Sequence, residues 1–347
     1  MASLRSTLGV AALVFAAACA SDSTPTAPIS SAPAMDRAPD NGSAQAGAVR
    51  HLFELRGSPG VDAARGNANP HRGGGGTGIS YHGGPVLLSG TNVAAIYWAS
   101  SAIYNGGPAA GTNGSGASDG SLVGFFLSHL GGSSYFNINS TYTNGSGQAI
   151  ANVVKYTQFW ANNVSVPTGT QVVSDAQMVA MLQSGFNSGK LTYDPNTLYA
   201  IFTAGAVNLG GGFGGQGGTQ FQYCAYHTHG TVSITGLGSR TVLYAAMPYD
   251  AQYPSSCSDN QAPNNDFGAD AEVNTLAHET EETTTDMLGT AWFDSRGFEN
   301  ADKCAWNFGT TTGSAGHLSN ITLGGKNFLV QQNWVNAGSG GCLQHWP

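Results

Sequence analysis

Charged side chains are scarce in this chain of 347 residues, in which Asp, Glu, Lys and Arg together make up 9%. The net charge is −8 at pH 7, and the 12 Lys and Arg residues form no cluster along the sequence. Proteins that bind nucleic acid neutralise its phosphates with a patch of these basic side chains. The composition therefore argues against a nucleic-acid partner.

Several motifs that would define a chemistry are also absent. No Gly-x-x-x-x-Gly-Lys-Ser/Thr segment occurs among the 50 glycines, which excludes a P-loop for nucleotide phosphates. No two cysteines have the Cys-x-x-Cys spacing of a cysteine-based zinc site. After the N-terminal region, no apolar run approaches the roughly 20 residues that a membrane-spanning helix needs. Binding or catalysis is thus left to the few charged and histidine side chains.

The first 20 residues have the layout of a secretory signal peptide: Arg5, then an apolar run at residues 8–18, then small residues. The segment Ala-Ala-Ala-Cys at residues 16–19 resembles a bacterial lipobox, with Ala16 in place of the usual Leu. Two outcomes stay open: lipidation of Cys19, which would be the only attachment to a membrane, or ordinary cleavage after Ala20. Both predict an extracytoplasmic protein, either secreted or held at the outer surface as a lipoprotein.

Residues 21–76 are rich in Ser, Thr, Pro, Ala, Gly and Asn, a composition that buries too little apolar surface to offset its conformational entropy. We interpret them as a disordered tether that carries a single domain, residues 77–347, away from a surface. A short apolar segment at residues 51–55 interrupts this composition. It is a docking segment, a propeptide contact or a chance apolar patch in the tether, and we favour the last.

The expected domain contains four cysteines, and an even number in an exported chain indicates disulfides. Three pairings are possible. We favour the sequential one, which joins Cys224 to Cys257 and Cys304 to Cys342.

Strand and helix patterns alternate through the domain. Apolar, β-rich runs occur at residues 92–98, 149–156, 197–203, 219–227, 241–247 and 327–335, and helical patterns at residues 119–130, 175–186 and 270–288. This order predicts an α+β fold in a single domain, with a twisted mixed sheet, backing helices and a carboxylate-rich third helix. It resembles the zincin architecture, a likeness of fold that carries little weight for chemistry by itself.

The third predicted helix carries the sequence His-Glu-Thr-Glu-Glu at residues 278–282. Residues four apart lie on one helix face, so His278 and Glu282 present an imidazole and a carboxylate to one cation. Glu279 lies beside both, as in the His-Glu-x-x-His helix of metallopeptidases, with Glu in place of the second His. Zinc accepts this replacement, although the added charge also permits calcium or manganese.

A hydrolytic zinc site needs a third protein ligand, and two downstream acids are candidates. Glu299 and Asp302 each suit the ligand position or the position that orients a histidine, and the sequence does not choose between them. Asp286, near the end of the helix, is a further carboxylate within reach. The alternative is that the glutamates form a solvated helix face and His278 is a hydrogen-bonded structural residue.

Acidic residues are concentrated in this region, which favours a bound metal over a solvated face. Arg296 and Lys303 are the only nearby basic residues. The acids that fall within this short stretch are Glu272, Glu279, Glu281, Glu282, Asp286, Asp294, Glu299 and Asp302.

A pair of histidines, His227 and His229, precedes the third helix on a predicted strand. Alternate residues of a strand face the same side, so both side chains are expected on one face. They either contact a substrate or metal, or pair with nearby carbonyl groups. The corresponding strand of a zincin lines the substrate cleft.

Six segments between about residue 80 and residue 347 resemble the exordium, or phosphate-induced protein, family of plants and its bacterial relatives. They are YHGGPVLLSGTNVAAIYW at 81–98, YCAYHTHG at 223–230, VNTLAHETEE at 273–282, AWFD at 291–294, FENADKC at 298–304 and FLVQQNWVN at 328–336. Thr280 and Glu281 replace a Leu-Ala pair of the family pattern, and Asp286 is followed by Met287 rather than Pro. The resemblance implies secretion to the cell wall or extracellular space, and it brings no settled activity.

These observations lead to two hypotheses of different kinds. The first is an exported metal-dependent hydrolase, metallopeptidase-like, that binds zinc and acts on a peptide or cell-wall polymer. The second is a non-catalytic extracellular protein of the exordium type, whose acidic site is structural and holds calcium.

Overall fold

The computed structural model describes residues 50–58, 78–210 and 223–347. The predicted signal peptide, Cys19 and most of the predicted tether lie outside the described residues. Among the residues that are described, no helix is long and apolar enough to cross a membrane.

A seven-stranded mixed sheet organises the domain. Its strands, in chain order, are β1 (His51–Glu54), β2 (Thr91–Trp98), β3 (Asn113–Ser115), β4 (Val154–Trp160), β5 (Thr197–Thr203), β6 (Tyr223–Ile234) and β7 (Gly238–Met247). Their order across the sheet is β1-β6-β7-β5-β2-β4-β3. The four central strands β7, β5, β2 and β4 run parallel to one another, and the pairs at both ends of the sheet are antiparallel.

Continuous apolar sequence explains the centre of the sheet. All seven residues of β5 are buried, and so is nearly all of β2, because helices or loops cover both faces. Parallel strands that are buried on both faces read as unbroken apolar runs rather than as alternating patterns. The predicted strands at residues 92–98, 197–203 and 241–247 are therefore found close to their predicted bounds.

Three helices cover the two faces of the sheet. They are α1 (Leu122–Leu130), α2 (Asp175–Asn187) and α3 (Phe267–Thr285), and a single helical turn spans Pro254–Cys257. Helices α1 and α3 pack on one face through Phe126 and Leu276, while α2 packs on the other through Leu182. Each helix begins at a polar N-cap whose side chain accepts a backbone hydrogen bond: Ser121, Ser174 and Asp266.

The prediction of an α+β fold with a large mixed sheet is confirmed, but several element bounds differ from the predicted ones. The strand predicted at residues 149–156 is Val154–Trp160, and residues 327–335 form the short strands Lys326–Phe328 and Asn333–Val335 outside the main sheet. Each of these two pairs with a neighbouring strand, Ile321–Leu323 or Gly341–Leu343. Two further ribbons join Ser80–Tyr81 to Trp292–Phe293 and Val172–Val173 to Asn208–Leu209.

The apolar segment that interrupts the predicted tether is strand β1. It pairs antiparallel with β6 at the edge of the sheet, with His51 opposite His227. Phe53 is fully buried in the core. Residues 51–54 therefore belong to the folded domain in the structure, because the adjacent strand β6 supplies hydrogen-bond partners for their backbone. The local sequence does not indicate this pairing.

Candidate metal centre

Helix α3 is buried along almost its whole length although it carries four glutamates. Every residue from Gly268 to Thr285 is buried, including Glu279, Glu281 and Glu282. The hydroxyl groups of Thr280 and Thr284 donate to the carbonyl groups four residues earlier, which satisfies them within the helix. A solvated helix face is therefore not what these glutamates form.

His278, Glu282 and Asp302 meet at one point beside α3. Nε2 of His278 lies 3.0 Å from Oε1 of Glu282 and 3.5 Å from Oδ1 of Asp302. The backbone N–H of Asp302 donates to the same Glu282 oxygen at 2.9 Å, which holds the Asp302 loop against the helix. One nitrogen and two carboxylate oxygens of these residues lie within 4.8 Å of one another. The structure thus brings Asp302, rather than Glu299, to the pair predicted on the helix.

The carboxylate of Glu299 contacts His227, while its backbone N–H donates to Oδ2 of Asp302 at 3.1 Å. His227 comes from β6, and its Nδ1 lies 3.0 Å from Oε2 of Glu279 and 3.6 Å from Oε2 of Glu282. The other ring nitrogen, Nε2, lies 3.6 Å from Oε2 of Glu299. His227 therefore stands between the predicted metal ligands of α3 and Glu299.

His51 was not among the predicted site residues, but the structure places it in the same cluster of side chains. We define this cluster as His51, His227, His278, Glu279, Glu282, Glu299 and Asp302. Nδ1 of His51 lies 2.6 Å from Oε2 of Glu299, and the ring of His51 stacks on that of His227 with centroids 4.8 Å apart. A Cβ added at Gly289 would lie 2.2 Å from His51 Nε2, so a side chain there would displace the ring. The only local signal for His51 is the apolar segment that it begins.

Several polar atoms of the cluster are buried without a hydrogen bond of ordinary geometry among the described residues. They are Nε2 of His51, Nε2 of His227, both ring nitrogens of His278, Oε1 of Glu279, Oε2 of Glu282 and both carboxylate oxygens of Glu299. Leaving a buried polar atom unsatisfied costs about 1–3 kcal/mol, and more for a charged group. Imidazole nitrogens and carboxylate oxygens are also the ligands of divalent transition metals. The donor set therefore fits a bound cation.

Burial governs the ionisation of the carboxyl groups. It raises the pKa of Glu279 and of Glu299 well above the usual range, and repulsion from neighbouring carboxylates adds to the effect. Burial and the proximity of Asp302 raise the pKa of Glu282 to about 7. Metal ligands bind in the deprotonated form, so protons and a cation compete for these groups.

The three histidines differ in their ionisation. Burial lowers the pKa of His51 and, more strongly, that of His227, which favours the neutral imidazole that binds metal. Burial also opposes the charge of His278, but attraction to Glu282 and Asp302 outweighs it and raises the pKa well above the usual value. The surroundings of His278 therefore favour its positively charged form, unlike those of His51 and His227.

The remaining predicted residues lie around this cluster with other contacts. Oδ1 of Asp286 accepts from the backbone N–H groups of Thr290 and Ala291, which shapes the turn after α3. Glu281 accepts from the side-chain amide of Asn139 on another side of the helix. His229 is half-buried and belongs to none of the groupings of potential metal ligands in the described part of the chain.

Lys303 follows Asp302 directly, but it is engaged with another acid. Its Nζ lies 3.1 Å from Oδ2 of Asp294 and stands over the ring of Trp334. Histidines, and not Lys303, are the partners in the ion pairs described above for Glu279, Glu282, Glu299 and Asp302.

The disulfides join Cys224 to Cys257 and Cys304 to Cys342, which is the pairing favoured from the sequence. Asp250 lies near the first pair, but disulfide sulfurs are not metal ligands, so this grouping is not a metal site. The second disulfide begins two residues after Asp302 and fastens that loop to the C-terminal hairpin.

One serine stands in the Gly-x-Ser-x-Gly spacing of a nucleophile elbow, at residues 116–120. Ser118 is exposed, ends a 3₁₀ turn rather than a strand, and donates to the carbonyl of Ser115 at 2.8 Å. Six residues, 116–121, separate β3 from α1 here, so Ser118 does not stand at the sharp strand-to-helix turn that an elbow requires.

Comparison with known proteins places the chain in a family. No curated protein and no solved structure matches it. The phosphate-induced protein 1 conserved region matches residues 129–332, a span that contains His227, α3, Glu299 and Asp302 and leaves His51 outside. Because this span covers more than half of the chain, the protein belongs to the phosphate-induced protein 1 family, as the resemblance to exordium proteins predicted.

Proposed function

We propose that this protein is an exported metal-dependent hydrolase, peptidase-like in kind, whose metal ligands are His278, Glu282 and Asp302. The observation that carries the proposal is the convergence of these three buried side chains, whose donor atoms lie within 4.8 Å of one another. A divalent cation there would act as a Lewis acid and lower the pKa of a bound water. The order of sheet and helices supports a zincin-like arrangement, with β6 beside the site helix.

Glu279 is the residue to which we assign the role of general base. An ionised carboxylate only accepts hydrogen bonds, so Nδ1 of His227 carries the proton of their 3.0 Å contact with Oε2. This contact orients the carboxylate, while Oε1 has no hydrogen-bond partner among the described residues and is available to accept a proton from water.

The second hypothesis, a non-catalytic extracellular protein with a structural calcium ion, has one observation in its favour. The side chains of Glu279, Glu282 and Glu299 are fully buried, as in a site that stabilises a fold. Calcium, however, takes oxygen ligands, and three imidazole rings belong to the cluster. The ligand chemistry favours zinc or another transition metal. The substrate that we propose is a peptide or a cell-wall polymer.

The test is metal content by plasma mass spectrometry, combined with turnover of casein-derived peptides and of wall polysaccharides. We expect His278→Ala to lose zinc, and Glu279→Gln to keep it while kcat falls by about 10²–10⁴-fold, the usual contribution of a general base. His229→Ala, on the same strand as His227, is the control and should keep both metal and turnover. Unchanged turnover in Glu279→Gln would contradict the assignment, and calcium in place of zinc would favour the structural protein.

A further inference from the structure

The orientation of His227 leaves one of its nitrogens free to bind a metal. Nδ1 of His227 lies 3.0 Å from Oε2 of Glu279, and with Glu279 ionised Nδ1 is the donor, so the neutral ring then carries its lone pair on Nε2. That nitrogen is buried, makes no hydrogen bond of ordinary geometry among the described residues, and lies 3.6 Å from Oε2 of Glu299. A histidine that donates to a carboxylate through one nitrogen and binds a metal through the other is a recurrent arrangement in metal centres.

His51 and Glu299 complete a group of donors around this nitrogen. His51 reaches it because β1 pairs with β6 in a register that sets His51 opposite His227. Nδ1 of His51 lies 2.6 Å from Oε2 of Glu299, and within the described part of the chain neither Glu299 oxygen has a hydrogen bond of ordinary geometry. Donor atoms of the three residues lie within 4.8 Å of one another, on two strands and a loop that are distant in sequence.

This group is separate from the ligands of the proposed function but adjacent to them. Glu282 faces both: its Oε1 lies 3.0 Å from His278 Nε2, and its Oε2 lies 3.6 Å from His227 Nδ1. Four carboxylates, those of Glu279, Glu282, Glu299 and Asp302, are buried together. One divalent ion would neutralise two of their charges, and two ions would neutralise all four.

We propose that the protein binds a second divalent transition-metal ion through His51, His227 and Glu299, beside the ion of the proposed function. Two nitrogens and one carboxylate form a ligand set for zinc, manganese, iron or cobalt. Adjacent metals in hydrolases bind both the attacking and the leaving oxygen. The proposal deepens the proposed function and rests on it only for the first ion.

The experiment is titration of the metal-free full chain with Co²⁺, followed by absorption spectroscopy and by metal analysis after gel filtration. We expect two equivalents in the wild-type protein and one in each of His51→Ala, His227→Ala and His278→Ala. His229→Ala is the matched control and should bind two. Circular dichroism of each variant establishes that it is folded, and His51→Gln, which keeps a polar side chain on β1, should also bind one.

The outcomes separate the two proposals. One equivalent in the wild type, lost in His278→Ala and kept in His51→Ala, would overturn the second position and leave the proposed function intact. One equivalent lost in His51→Ala and His227→Ala but kept in His278→Ala would establish the second position and overturn the first. No bound cobalt in the folded wild-type protein would overturn both.

Discussion

Glu272 of helix α3 and Asp250 of the 3₁₀ turn Asp250–Gln252 form a second buried pair of acidic side chains. The backbone N–H of Asp250 donates to Oε2 of Glu272 at 3.4 Å, and the Thr275 hydroxyl donates to the Asp250 carboxylate. Burial raises the pKa of Glu272 from 4.5 to about 8. Burial and the neighbouring Glu272 raise the pKa of Asp250 well above its usual value. The two carboxyl groups therefore retain protons to a higher pH than free carboxyl groups do.

The raised pKa of Glu272 predicts that stability falls as the pH rises. Between pH 4.5 and about 8 the folded state retains a proton that the unfolded chain releases, so the free energy of unfolding decreases over this interval. The stabilisation is complete below pH 4.5 and lost above about pH 8. Glu272→Gln should flatten this dependence. Urea unfolding at several pH values, with metal held in excess so that the site carboxylates stay ionised, measures the difference in slope between the two proteins. An equally steep dependence in Glu272→Gln would show that another group holds the proton.

At the scale of elements, β1 is fastened to the domain by aromatic packing. The ring of Phe53 lies between His278 and Trp306, with centroids 4.0 and 4.6 Å away, and is fully buried. Nε1 of Trp306 donates to the carbonyl of Glu54 at 3.0 Å. Arg50, just before the strand, pairs with Asp175 of α2. The strand and the residue before it thus contact both helix α3 and a helix on the opposite face of the sheet.

Phe53→Ala is predicted to destabilise the whole domain. Removing a buried phenylalanine leaves a cavity and costs about 3–5 kcal/mol. Urea unfolding measures the change, with Leu237→Ala as the control, because Leu237 is 46% exposed and its truncation should change stability little. A Phe53→Ala protein as stable as the wild type would mean that β1 is detached in solution, as a tether segment would be.

At the scale of the whole molecule, the two disulfides fasten different segments of the chain. Cys224–Cys257 closes 33 residues between β6 and the turn before α3, whereas Cys304–Cys342 closes 38 residues that begin beside Asp302. The chain-entropy model gives each about 4 kcal/mol of stabilisation. Only the second one directly anchors the segment that carries Glu299 and Asp302.

Replacing Cys304 and Cys342 together by serine should lower the free energy of unfolding by about 4 kcal/mol and also weaken metal binding. The second effect follows because the Asp302 loop gains freedom that the cation must then restrict. Competition with a chelator measures metal affinity. The control is the double variant Cys224→Ser with Cys257→Ser, which should lose a similar amount of stability but leave the Asp302 loop anchored. Equal metal affinity in the two double variants would contradict the anchoring role.

Much of the site helix was visible in the sequence, because its contacts are local. The i, i+4 spacing of His278 and Glu282 is a property of any helix, and so is the proximity of Glu279. The unbroken apolar runs of β2 and β5 likewise identify buried parallel strands without reference to the rest of the chain. The mixed sheet was predicted from the alternation of such runs with helical patterns, whereas the sequential disulfide pairing was favoured among three possible ones.

The sequence by itself determined the α+β class, the helix that bears His278, Glu279 and Glu282, and the acidic character of the residues after it. Only the tertiary structure decided that Asp302 joins this pair and that His51 and Glu299 meet His227. The reason is distance along the chain: β1 pairs with a strand about 170 residues later, and composition cannot specify which sheet edge a short strand will join. The long-range pairing of β1 with β6 places residues 51–54, which the sequence predicted to lie in a tether, beside the buried site.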